Sequence, residues 1–123
     1  MRRLTLISLI ALAAAVPAAE AKAPPKGDYG CTYTTFSGTF YSGTLNILSK
    51  TKYKVNDKNK GEYVNRSRKR IKFKTGSYKG LWKGKWSKNE SVLNPGKSIY
   101  VIKLTSIEDP EGTPTMECTR DSS

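Results

Sequence analysis

The chain of 123 residues contains no histidine, so the commonest general base and the commonest metal ligand are both missing. It has only two cysteines, Cys31 and Cys118, too few for a thiolate-rich metal site. Acids are scarce, ten against 22 Lys plus Arg. The acidic stretch Glu108-Asp109-Pro110-Glu111-Gly112 has turn chemistry and lacks the ligand spacing of a known calcium loop. No glycine-flanked nucleophile elbow or serine-lysine signature stands out. The expectation is a protein that is not an enzyme and has no metal or cofactor. No window carries a 3.6-residue apolar stripe, which argues against helices.

The longest apolar run, Leu4 to Val16, is interrupted by Thr5 and Ser8 and falls short of the roughly 20 residues of a bilayer span. Preceded by Arg2-Arg3 and followed by Ala19-Glu20-Ala21, it reads as a secretory signal peptide over 1–21, removed after Ala21. Residues 22–27, with Pro24-Pro25, read as a flexible lead, and 28–123 as a single β domain. The 102 residues from Lys22 onward carry a net charge of +11. Export makes the protein secreted, periplasmic or envelope-associated, and an oxidising compartment favours pairing of Cys31 with Cys118.

From Tyr29 the dominant pattern is alternation. Tyr29, Cys31 and Tyr33 share one face, as do Leu45 with Ile47, Ile71 with Phe73, and Trp82 with Gly84 and Trp86. The glycine-x-aromatic units at Gly27, Gly38, Gly61 and Gly76 read as turns entering strands. Strands are expected near 29–36, 39–48, 51–55, 61–65, 69–74, 78–86, 98–105 and 114–119. The predicted fold class is all-β, a small antiparallel meander closed into a barrel of about eight short strands, with a two-sheet β-sandwich as the alternative. The pattern that opens with Gly27-Asp28-Tyr29-Gly30-Cys31 and closes with Cys118 resembles small bacterial envelope barrels, including the inhibitors of chicken-type lysozyme. That resemblance implies a barrel. The inhibitors' functional loop is not found in this chain, and a +11 inhibitor would meet like-charge repulsion from a basic lysozyme.

Between Lys50 and Lys88 stand fifteen Lys and Arg residues against Asp57 and Glu62 alone. Alternation turns Lys50, Lys52 and Lys54 away from Tyr53 and Val55. It turns Arg68, Arg70, Lys72 and Lys74 away from Ile71 and Phe73, and Lys83 and Lys85 away from Trp82 and Trp86. These nine cations are the candidate anion-binding residues. An ordinary solvated surface intersperses acids that are missing here. Expected partners are anionic polymers or surfaces bound without sequence specificity: polysaccharide, wall polymer, lipid head groups or nucleic acid. One alternative is an inhibitor-like barrel that recognises an acidic protein; another is a small-ligand carrier lined by Tyr33, Trp82 and Trp86. Tyr63 and Tyr78, beside turns, are expected to be exposed. A monomer is expected, with weak self-association if the acidic loop meets a second molecule's basic face. Asn65-Arg66-Ser67 and Asn89-Glu90-Ser91 match the glycosylation sequon.

Overall fold

A computed structural model describes residues 22–108, 111 and 115–121, with the backbone alone for Asp121. The signal-peptide reading of 1–21 and most of the 109–114 part of the acidic loop therefore lie outside the described residues. Eight strands form a closed antiparallel barrel in chain order. They are β1 (Gly27–Thr35), β2 (Gly38–Ile47), β3 (Lys52–Val55), β4 (Asn59–Arg66), β5 (Arg70–Phe73), β6 (Trp82–Glu90), β7 (Ser98–Ser106) and β8 (Met116–Asp121). The sandwich alternative is excluded because β1 pairs with β8, which leaves no sheet edge between first and last strands.

The disulfide stands at that closure. Cys31 and Cys118 are directly opposite in the β1–β8 register and bonded to each other. The pair ties positions 87 residues apart and contributes about 4.5 kcal/mol in the chain-entropy account.

Alternation fills the interior as the sequence implies. Leu45, Ile71, Phe73, Trp86, Ile102 and Leu104 are buried, and Trp82 and Tyr33 pack against them. Tyr53 organises an aromatic cluster, with ring centroids 4.9 Å from Phe73, 5.8 Å from Tyr78 and 6.4 Å from Tyr63. Tyr63 and Tyr78 are thus buried, contrary to their expected exposure. Each belongs to the inner wall or closes it. The Tyr63 hydroxyl donates to the Ser49 carbonyl (2.6 Å), Tyr29 to Pro25 (2.7 Å) and Tyr53 to Thr75 (2.8 Å). Burial pushes the phenols of Tyr63 and Tyr78 up to about 12 and raises those of Tyr29 and Tyr53 as well.

Two glycines admit the β5–β6 loop against this cluster. A Cβ on Gly61 would collide with the Thr75 carbonyl and the Tyr53 ring; one on Gly76 would come within 2.6 Å of the Tyr53 hydroxyl. Gly61 therefore lies inside β4 as a packing glycine rather than at a strand entry. The β5–β6 loop also moves the start of β6 from the expected position 78 to Trp82. Tyr78 sits in a turn, with its carbonyl accepting from the amides of Leu81 and Trp82.

The lead from Lys22 to Lys26 has no regular secondary structure but is packed against the barrel. Pro24 is buried, and Trp86 Nε1–H donates to the Lys22 carbonyl at 3.2 Å. Among the described residues no helix is long and apolar enough to cross a membrane. The disulfide is of the kind that persists in an oxidising, extracytoplasmic compartment.

Candidate functional site

Antiparallel register brings cations from four neighbouring strands onto one rung of the outer wall. Arg66 on β4 is opposite Arg70 on β5, Arg70 is opposite Lys85 on β6, and Lys85 is opposite Lys103 on β7. One step up the strands, Lys72 is opposite Lys83. With strands about 4.8 Å apart and residues about 3.4 Å apart along them, the rung spans about 14 Å and the second row lies about 7 Å away. All six side chains are exposed.

The six line an open groove of about 750 Å³, bounded toward the β7 end by Thr105 and Ile107. Under it, Ile71, Gly84 and Leu104 share an inner rung. A side chain on Gly84 would fit tightly there, since a Cβ would meet Leu104 Cδ2 at 3.3 Å and Ile71 Cβ at 3.4 Å. Its regular register keeps Trp82 and Trp86 turned inward, so neither offers its ring to a base or sugar on the basic face.

Four directly opposed like-charge pairs are an electrostatic burden on the fold, because facing side chains of one sign repel. The rung meets its first carboxylate at Glu117 of β8, opposite Lys103. One member is held in place. Arg70 Nε and Nη2 donate to the carbonyl and hydroxyl of Ser67, both at 3.0 Å, so its guanidinium is held in one orientation.

Of the nine expected cations, Arg70, Lys72, Lys83 and Lys85 come together in this groove. Lys52 and Lys54 do not. Lys52 is opposite Glu62, whose carbonyl accepts from the Lys74 amide, so charges alternate in sign along Lys52, Glu62 and Lys74. Lys54 is opposite Lys60, close to the Asn56–Asp57 turn. Lys50 lies in the β2–β3 loop. Arg68 leaves the strand altogether: it occupies a 3₁₀ turn, Ser67–Lys69, with φ of 60°.

Arg66 and Lys103 complete the rung without having been singled out in the sequence. Arg66 follows the expected end of its strand, and Lys103 lies outside the basic stretch, flanked by Ile102 and Leu104. Its outward alternation was readable; its register against Lys85 was not. The first sequon is occupied structurally, as Asn65 Nδ2, the atom that would carry a glycan, donates to the Lys50 carbonyl at 2.8 Å. No family model, curated protein or solved structure matches the chain.

Proposed function

We propose that this is a secreted, non-enzymatic binding protein that engages anionic polymers through the groove on β4–β7. The observation that carries the reading is the rung Arg66, Arg70, Lys85 and Lys103, where like charges face one another on four successive strands. Such an arrangement weakens the sheet and is relieved when phosphate, sulfate or carboxylate groups lie across it. An anionic polymer suits a row of cations better than a single small anion does. The inward setting of Trp82 and Trp86 in a packed aromatic core favours this outer surface over a carrier pocket.

Recognition of this kind is electrostatic and independent of sequence. If all six groove cations neutralised phosphates of duplex DNA, used as a probe of known charge density, the log-log salt slope would be about −5.4. Retention on heparin should fall steeply with salt and should collapse in Arg70→Glu/Lys72→Glu/Lys85→Glu. Lys52→Glu/Lys54→Glu, which alters β3 outside the groove instead, should elute close to the unmodified protein. Normal retention by the folded triple variant rejects the groove.

A further inference from the structure

The meander brings the lead, the β2–β3 loop, the 3₁₀ turn and the β6–β7 loop to one end of the barrel. That end carries exposed Lys22, Lys26, Lys50, Lys69, Lys88 and Lys97. Among the carboxylates with described side chains, Asp28 and Glu90 stand there, and Asp28 accepts a hydrogen bond from Asn46 Nδ2 at 2.8 Å. Four of these lysines, Lys22, Lys26, Lys50 and Lys69, lie around Trp86. Its ring is 4.8 Å from Lys69 Nζ, and with Lys22, Lys26, Lys50 and Ser49 it lines a groove of about 660 Å³.

From this basic end the β6–β7 hairpin extends beyond β5. The β5–β6 pairing ends at Lys85, while β6 continues paired with β7 to Glu90, about 17 Å farther, and β7 is backed by β8 as far as Ile99 opposite Asp121. Its tip is ordered by hydrogen bonds from the Ser91 amide to the Lys97 carbonyl (2.8 Å), from Asn94 to Ser91 Oγ (3.2 Å) and from Lys97 to the Asn94 carbonyl (3.0 Å). On that tip Val92 and Leu93 are 93% and 88% exposed. Two adjacent aliphatic side chains on an ordered tip serve no core.

We propose that this end docks on an anionic lipid bilayer, with Val92 and Leu93 entering the acyl boundary and the surrounding lysines meeting headgroup phosphates. The combination selects the partner. A hydrated polymer offers nothing to Val92 and Leu93, and an uncharged apolar surface offers nothing to six lysines; an anionic bilayer satisfies both. Each lysine near such a surface strengthens binding about fivefold. Partial burial of the two aliphatic side chains contributes at least about tenfold. This surface shares no cation with the β4–β7 groove, so the two can be lost separately.

The chain beginning at Lys22, which holds all eight strands, the core and the disulfide, should sediment with vesicles of equimolar phosphatidylglycerol and phosphatidylcholine, and not with phosphatidylcholine alone. Val92→Ser/Leu93→Ser removes exposed groups and leaves the core intact. It should weaken vesicle binding at least about tenfold while heparin retention stays unchanged. Arg70→Glu/Lys85→Glu should show the reverse pattern, losing heparin and keeping most vesicle binding. Sedimentation of the serine variant like the unmodified protein, or equal binding to uncharged vesicles, overturns the proposal. So does loss of self-association in the serine variant without a change in vesicle binding, which would assign the tip to a second copy of the chain.

Discussion

Lys85→Glu is expected to stabilise the protein and weaken its binding in one step. Lys85 lies between Arg70 and Lys103 on the exposed rung, so the substitution converts two opposed like-charge pairs into two opposite-charge pairs. Cross-strand ion pairs contribute roughly 0.2–1 kcal/mol each, and the gain for two is about 1 kcal/mol. For a domain of this size that raises the melting temperature by about 4–8 °C. The same change removes one cation from the groove and adds a repelling carboxylate, so the slope of log affinity against log salt for duplex DNA should become shallower by about 0.9. Calorimetry and a salt titration of binding read the two effects on one sample. Lys79→Glu, an equal charge change on an exposed loop residue outside the groove, is the control and should shift both quantities less. A melting temperature that does not rise refutes the register electrostatics. A higher melting temperature with unchanged binding refutes the groove as the binding site.

Replacing both cysteines with serine should lower stability by about 4.5 kcal/mol, measured by urea unfolding, because the barrel loses the covalent tie between first and last strands. Gly61→Ala should destabilise by about 1–3 kcal/mol, since the added methyl meets the Thr75 carbonyl and the Tyr53 ring; full stability would mean that the β5–β6 loop is not packed there. Tyr63 and Tyr78 hold their protons up to about 12 in the folded protein, whereas an unfolded tyrosine releases its proton near 10. The unfolded chain therefore binds fewer protons between these values, and stability should fall as pH rises through 10–12, with their phenolate absorbance appearing late in the native titration.

The fold was legible because strand alternation is a local property. Tyr29, Cys31 and Tyr33, or Trp82, Gly84 and Trp86, declare an inner face without reference to any other strand. Tyr78 shows the limit of that rule. Its glycine-x-aromatic setting matches a strand entry, yet its ring reaches the core from a turn by stacking on Tyr53. Arg68 shows another. Alternation assigns it to the row of Arg70 and Lys72, but positive φ at Arg68 and Lys69 ends that row one residue before β5. The candidate site depends on non-local register. That Lys85 faces both Arg70 and Lys103 follows from how β5, β6 and β7 slide into place, and one sequence does not state it. The basic stretch held five of the groove's six cations, four of them among the named candidates; Lys103 came from a strand whose composition is mainly apolar.

The tyrosine hydroxyls on the inner wall fasten Pro25, Ser49 and Thr75, and in every case the accepting atom is a main-chain carbonyl. The latches are therefore indifferent to the side chains of the loops they hold. Apart from Gly76 and Tyr78, which pack against the Tyr53 ring, substitutions in those loops can accumulate and rewrite the surface chemistry of either barrel end, while the backbone stays anchored by residues that solvent never reaches.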